Sequence, residues 1–347
     1  MDEHLNHQHV VAAAIFNKQG EVLLALRPAH LHQGGLWEFP GGKIEADEDV
    51  RTALARELHE ELGITVTRAR PLIRIPHRYP DKAVLLDVWR VDDFAGEAHG
   101  REDQRLEWVA VNRLRDKSYP AANLPVITAL ELPSLYLISE EPATYRDVLV
   151  SREAGCRERP DPAAFLATLE AWLKNGARLI QLRAKTLDED AYAALAVNAL
   201  TLCKHYNAEL LLNAPVQIVM ELGAPGIHMS SAQLLGFETR PVGKEKRVAA
   251  SCHTAAELAH ALAIGVDFVV VSPVLPTTSH PGAATLGWTG LRALTEQATV
   301  PVYALGGMQP EHLDPAWQYG AQGIAVRGVW PSVKPAEFMA HFQSRYS

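Results

Sequence analysis

The chain has 347 residues, 48% hydrophobic and 21% charged, which is ordinary for a folded soluble protein and long enough for two domains. A net charge of −8 with no long basic run argues against a nucleic-acid polymer as partner. No apolar run reaches membrane-spanning length and the Met-Asp-Glu start has no signal-peptide pattern, so the expected location is the cytoplasm, away from membranes.

In chain order, His4, His7 and His9 read as a polar tail, with metal binding as the competing reading. Val10 to Phe16 is a β-type apolar run, Asn17 to Gly20 a turn, and Val22 to Leu26 the returning strand. A polar loop carrying Arg27 and Gly34-Gly35 leads into Trp37-Glu38-Phe39-Pro40-Gly41-Gly42. Val50 to Leu62 predicts an amphipathic helix, with Val50, Leu54, Leu58 and Leu62 forming its apolar stripe. Asp47, Glu48 and Asp49 sit at its positive end, and Gly63 follows its last residue. Further strands are expected at Arg70 to Ile75, Ala83 to Val91 and Leu106 to Val111, then a helix at Leu124 to Leu132.

One feature of the Val50–Leu62 helix is chemically unusual. Glu57, Glu60 and Glu61 fall at i, i+3 and i+4 and edge onto the apolar stripe. Like charges at that spacing cost roughly 0.2–0.5 kcal/mol per pair on an exposed helix. A cation among them removes the cost, and a hard divalent ion suits oxygen ligands.

From Gly42 the spacing is Gly, five residues, Glu48, seven residues, Arg56-Glu57-Leu58, one residue, Glu60-Glu61, one residue, Gly63-Ile64. This resembles a complete Nudix box. The approach Leu36 to Gly42, the loop Gly100 to Gln104 and the segment Tyr119 to Ile127 resemble the MutT type of that family. The resemblance implies an α/β/α sandwich that clears oxidised guanine nucleotides, converting 8-oxo-dGTP to the monophosphate and pyrophosphate. A different nucleoside diphosphate derivative is the alternative substrate. The implied metal set is Gly41, Glu57, Glu60, Glu61 and Glu102, holding Mg²⁺ or Mn²⁺, with one of the four glutamates assisting deprotonation of the attacking water. Arg27, Phe39 and Asn123 are the implied nucleotide-binding residues, Asn123 reading the purine. Arg56 is implied to pair with Glu48 as a structural brace. Lys43 is read either as a phosphate contact or as solvated, and Glu38 as a minor ligand.

From Leu135 onward, short apolar runs alternate with helical stretches. The runs are Leu135 to Ile138, Leu179 to Leu182, Leu210 to Leu212, Gly226 to Met229, Val248 to Ser251, Phe268 to Val271, Val302 to Leu305 and Ile324 to Val326. Helices are expected at Phe165 to Lys174, Ala191 to His205, Ala255 to Ala263 and Thr289 to Glu296. Eight such units predict a (β/α)₈ TIM barrel, with an open doubly wound sheet as runner-up. The expected fold is therefore α/β throughout, with domains at 1–132 and 133–347. Cys156, Cys203 and Cys252 have no metal-type spacing and suit free thiols in a reducing compartment.

The ends of these runs resemble thiamine phosphate synthase and its relative thiazole tautomerase. The matching pieces include Gln181-Leu182-Arg183, Gly226-Ile227-His228, Ser251-Cys252-His253-Thr254, Ser272 to Thr278, Ala304 to Gly307 and Gly323 to Arg327. The resemblance implies a thiamine-pathway phosphate ligand held by Gln181, Arg183, Gly306, Gly307, Arg327 and Gly328, with His253 as an acid/base. A hydrogen-bonded histidine without catalytic role is the other reading of His253. Three departures stand out. Ala214 follows Asn213 where the synthase has a metal-binding Asp, Gln233 or a near neighbour replaces a second, and His280 stands for a Lys. Loss of both carboxylates implies a barrel without synthase activity, leaving tautomerase chemistry or ligand binding. Oligomeric state is not legible in the sequence.

Overall fold

The computed structural model describes residues 8–28, 33–79, 83–100, 104–142, 161–277, 282, 284–330 and 333–343. Contacts divide the chain into two compact units. One is Met1–Leu132 with Leu291–Val302 and Asp314–Gln322; the other is Pro133–Gly290, Tyr303–Leu313 and Gly323–Ser347. The first thus takes in two segments that the sequence reading assigned to the second half.

The first unit carries strands β1 (Gln8–Ile15), β2 (Glu21–Leu26), β3 (Trp37–Glu38), β4 (Thr65–Arg78), β5 (Ala83–Ala95) and β6 (Leu106–Ala110), with helices α1 (Val50–Leu62) and α2 (Leu124–Glu131). One sheet has the order β1-β5-β4, the other β3-β2-β6. β1 pairs in parallel with β5, and β4 pairs antiparallel with β5. Period-2 alternation makes β1 a shared wall between two cores. Val11, Ala13 and Ile15 face Leu54, Leu58 and Leu62 of α1, while Ala12 and Ala14 belong to the cluster holding Val126 and Ile127 of α2. The three α1 leucines are almost wholly buried, worth roughly 1.5–3 kcal/mol each.

Helix α1 begins and ends where the sequence places it. Asp49 is its N-cap, accepting hydrogen bonds from the Arg51 and Thr52 N–H groups at 2.9 and 3.1 Å. Gly63 closes it in the left-handed conformation, φ 71°. Segment Pro40 to Ile44 runs beside β1, pinned by Ala13 N–H to Pro40 O (2.8 Å), Val11 N–H to Gly42 O (2.9 Å) and Ile44 N–H to His9 O (3.1 Å).

The barrel strands are β7 (Leu135–Ile138), β8 (Leu179–Leu182), β9 (Glu209–Leu212), β10 (Gly226–Met229), β11 (Arg247–Cys252), β12 (Phe268–Val271), β13 (Val302–Ala304) and β14 (Gly323–Val326). They close in the order β10-β11-β12-β13-β14-β7-β8-β9, so the open-sheet alternative is excluded. The registered pairs run parallel. Helices α3 (Pro162–Lys174), α4 (Glu189–His205), α5 (Val216–Glu221), α6 (Ser231–Leu234), α7 (Ala255–Ile264), α8 (Gly287–Thr295), α9 (Leu313–Gln318) and α10 (Pro335–Gln343) follow or separate these strands. Aromatic rings fill the interior: Tyr136 lies 5.3 Å from Phe268 and 5.7 Å from Tyr303, centroid to centroid. Among the described residues, no helix is long and apolar enough to cross a membrane.

Candidate functional site

The site in the first unit begins with the Gly41-Gly42 loop lying against α1. The Gly41 N–H donates to the Glu61 carboxylate at 3.1 Å. The Glu57 carboxylate lies so close to Gly42 that a Cβ there would come within 2.3 Å of it. Adjacent loop residues thus hold the two carboxylates that α1 presents one turn apart. Glu60 differs: its side chain is 60% exposed.

Arg56 braces this acidic face. It donates to Glu48 through Nε (3.0 Å) and Nη2 (2.8 Å), a bidentate pair, and to the Lys43 carbonyl at 3.0 Å. Its Nη1 reaches Glu57 at 2.9 Å and Glu60 at 3.3 Å. The Glu48 pairing is the one expected; the reach to Glu57 and Glu60 is additional. The Arg56 hydrogen bonds lower the Glu48 pKa, and the same pairing raises that of Arg56. The Arg56 guanidinium thus contacts three carboxylates, Glu48, Glu57 and Glu60. The hard oxygen donors of Glu57 and Glu61 fit a divalent ion of the Mg²⁺ type. Among the described residues, no three acidic, His or Cys side chains converge at metal-binding distance. Glu60 turns toward Arg56 and solvent, and Glu102 lies outside the described residues.

Beside the loop is a cleft of about 310 Å³. Arg27, Phe39 and Asn123, named separately from the sequence, line it together with Gly41 and Gly42. Phe39 is braced by Tyr119, with ring planes 15° apart and centroids 6.2 Å apart. Asn123 is only 7% exposed, and its side chain makes no cap hydrogen bond to α2. The residues that also line the cleft include Lys43, Glu38, which is paired with Arg27, and Tyr79. Burial raises the Glu38 carboxyl above its ordinary value against the pull of Arg27, and burial also raises Tyr79. No sequence signal marks Tyr79, which follows the last residue of β4.

The barrel has its own cavity, about 430 Å³, where the strands end. His253, Gly306, Gly307, Arg327 and Gly328 line it. The loop after β12 presses on the glycine pair: a Cβ on Gly306 would meet Pro273 Cα at 2.8 Å, and one on Gly307 would meet Pro276 O at 2.5 Å. Both have positive φ, 99° and 65°. His253 Nδ1 donates to the Ser272 carbonyl at 2.7 Å, so its Nε2 is the ring nitrogen without the proton. Gln181 and Arg183 do not line this cavity. Gln181 is buried within β8, and Arg183 bonds Glu141 at 2.6 Å. Burial, with the charge of nearby Arg327, lowers the Arg183 pKa.

The family models divide in the same way. The NUDIX domain matches residues 11–129, and thiamine monophosphate synthase matches residues 150–329. The chain belongs to the Nudix and thiamine monophosphate synthase families. CTP pyrophosphohydrolase of Escherichia coli is 40% identical over 119 residues, 34% of this chain and 88% of the relative. The 8-oxo-dGTP diphosphatase of Escherichia coli is 36% identical over 122 residues, 35% of this chain and 95% of the relative. Putative thiamine-phosphate synthase 2 of Aquifex aeolicus is 36% identical over 161 residues, 46% of this chain and 87% of the relative.

In the synthase-family half, the positions lacking carboxylates are closed by neutral hydrogen bonds. Asn213 donates to the His228 carbonyl (2.9 Å) and to Gln233 Oε1 (3.2 Å), and Gln233 Nε2 donates to the Ala214 carbonyl (3.2 Å). Gln233 also completes the capping box of α6 with Ser230. The Gln233 amide is thus satisfied by Asn213, the Ala214 carbonyl and Ser230. His280 lies outside the described residues. Cys203 and Cys252 are free and buried, and burial pushes both thiols up to about 12, which makes them poor nucleophiles.

His228 sits at the centre of the barrel, between Tyr136 OH (3.0 Å, at Nδ1) and Ser251 Oγ (2.9 Å, at Nε2). The buried Tyr136 hydroxyl has no other hydrogen-bond partner among the described residues, so it donates to Nδ1. The neutral ring then carries its proton on Nε2 and donates to Ser251. Burial pushes His228 down to about 3, from an ordinary 6.5. Between those values the unfolded chain binds a proton that the folded chain refuses. This contribution to stability is full above pH 6.5 and is lost as pH falls toward 3. The expected result is a steeper acid loss of melting temperature in the wild type than in His228→Gln. Equal slopes in thermal melts from pH 7 to pH 4 would contradict the assignment.

Proposed function

We infer that residues 1–132 form a Mg²⁺-dependent pyrophosphohydrolase that converts 8-oxo-dGTP, or a related oxidised purine nucleoside triphosphate, to the monophosphate and pyrophosphate. The observation that carries this reading is the gathering of Arg27, Phe39 and Asn123 in one cleft with Gly41 and Gly42, the loop residues against which Glu61 and Glu57 lie. An amide can both donate to and accept from a base edge, and Phe39 offers a braced ring for stacking. Glu57 and Glu61 are the residues placed to hold the metal, with Glu102 as the further carboxylate the family pattern supplies. Bound Mg²⁺ neutralises phosphate oxygens and makes a coordinated water more acidic. Arg56 holds Glu57 in place, and the Gly41 N–H holds Glu61.

Residues 133–347 act as a phosphate-ligand barrel without synthase activity. The Asn213–Gln233 amide pair supports this, because it leaves no anion for a metal at that position. Tautomerase-type chemistry is the second reading of the barrel, favoured by the Nε2 of His253 at the cavity wall. Buried free thiols and a net charge of −8 suit a cytoplasmic enzyme of small nucleotides.

The test is a substrate panel of 8-oxo-dGTP, dGTP, CTP and other triphosphates with Mg²⁺, reading pyrophosphate and monophosphate. Asn123→Ala should lower kcat/KM for 8-oxo-dGTP by roughly 10- to 100-fold, the scale of losing hydrogen bonds to the base. Preference for CTP over the purines would assign the cleft to the chemistry named for the CTP pyrophosphohydrolase relative. No Mg²⁺-dependent turnover of any triphosphate would overturn the hydrolase reading.

A further inference from the structure

The residues after β7 form a feature that neither family pattern assigns. Ser139, Glu140 and Glu141 leave the strand beside the ends of β8 and β14. Ser139 Oγ accepts the Arg183 N–H at 2.9 Å, tying the two strand ends together. Glu141 accepts from Arg183 Nη1 at 2.6 Å and from the Thr186 N–H and hydroxyl at 3.2 Å each. Its side chain is 12% exposed, so the pair is shielded from solvent. Glu140 pairs with Arg327, Oε2 lying 3.7 Å from Nε. The other Glu140 oxygen lies against Gly328: a Cβ there would stand 3.7 Å from it. Arg327 Nε is buried without a hydrogen bond. Two arginines at the barrel mouth are thus matched by two glutamates, one of them beside a glycine that lines the cavity.

We propose that Glu140 and Glu141 are specificity-determining residues that hold Arg183 and Arg327 as neutral pairs, so that the barrel admits a ligand bearing one phosphate and excludes a pyrophosphate. The proposal rests on the phosphate-ligand reading of the barrel. A single phosphate can be met by the backbone N–H groups of the glycine loops. A second phosphate has to find positive charge further along the mouth, and both guanidiniums there are engaged. It also has to approach the Glu140 carboxylate, a like charge in a partly desolvated site. Breaking a charge-assisted pair to free an arginine offsets what the arginine then contributes.

The experiment is calorimetric titration of the full chain with inorganic phosphate and with inorganic pyrophosphate. Excess EDTA removes metal-dependent binding in the Nudix half. The wild type should favour phosphate. Glu140→Gln/Glu141→Gln, which keeps shape and hydrogen-bonding capacity, should bind pyrophosphate at least about tenfold more tightly and reverse the preference. Adding Arg183→Ala to that variant should return pyrophosphate affinity to the wild-type level. Glu140→Gln alone should show an intermediate gain, and it serves if the double variant fails to fold. If phosphate binds but the ratio of affinities is unchanged in folded variants, the proposal is overturned while the phosphate reading stands. A gain that survives Arg183→Ala also overturns it. If neither anion binds the wild type or any variant, the phosphate reading falls and the proposal with it.

Discussion

Glu57→Gln should lower Mg²⁺-dependent kcat/KM on the preferred triphosphate by on the order of 10³-fold while leaving the fold intact. The side chain is 14% exposed and lies under the Gly41-Gly42 loop, where a substrate phosphate would meet a bound ion. Gln keeps the size and can still accept from Arg56 Nη1, so the brace survives. What it loses is the charge that makes the site attractive to a divalent cation. Glu60→Gln should cost less, because Glu60 is mostly exposed and its bond to Arg56 is longer, 3.3 Å. Pyrophosphate release together with circular dichroism decides the matter. Wild-type turnover in folded Glu57→Gln would refute the assignment, and so would a larger loss in Glu60→Gln.

The second large effect separates two neighbouring glycines. Gly41→Ala should destabilise the first unit by about 3 kcal/mol or more, since its Cβ would stand 2.2 Å from the Val11 carbonyl oxygen at a φ of 145°. That oxygen belongs to β1, which is buried on both faces, so the backbone has nowhere to move. Gly42→Ala is different. Its Cβ would meet the Glu57 carboxylate at 2.3 Å, and a side-chain end can swing away. Activity should fall nearly as far as in Glu57→Gln, with little change in melting temperature. Denaturant titration and turnover measured on both variants give the pattern. Equal stability of Gly41→Ala and Gly42→Ala would show that the loop is not held against β1 as described.

Much of the fold was legible because local signals agreed. Helix α1 was readable to the residue: the leucine stripe, the Asp49 cap and the Gly63 stop all point to the same limits. All eight barrel runs were placed within one residue at each end because short continuous apolar strands between helices have few alternatives. Elements that exist through pairing alone were not readable. Strand β3 is two residues long and is defined by Ala25–Glu38 and Leu26–Trp37 contacts. Strand β4 extends to fourteen residues, past the expected Arg70 to Ile75, because β5 pairs along its length through several register shifts. Helices α5 and α6 are too short, at six and four residues, to show a periodicity.

The site divides along the same line. The sequence by itself determined that three glutamates share one edge of α1, since a helical period is local and needs no partner. The Glu48–Arg56 pair and the absence of carboxylates at Ala214 and Gln233 were readable only through resemblance to the two families. Only the tertiary structure decided how the three glutamates differ. Glu57 and Glu61 are drawn to Gly42 and Gly41 because segment Pro40 to Ile44 is pinned to β1, while Glu60 is left to Arg56 and solvent. It also gathered Arg27, Phe39 and Asn123 into one cleft, and it kept Gln181 and Arg183 out of the barrel cavity. The physical reason is common to all of these. Spacing along a helix sets which side chains share a face, but which backbone those side chains meet depends on strand pairing between residues far apart in the chain.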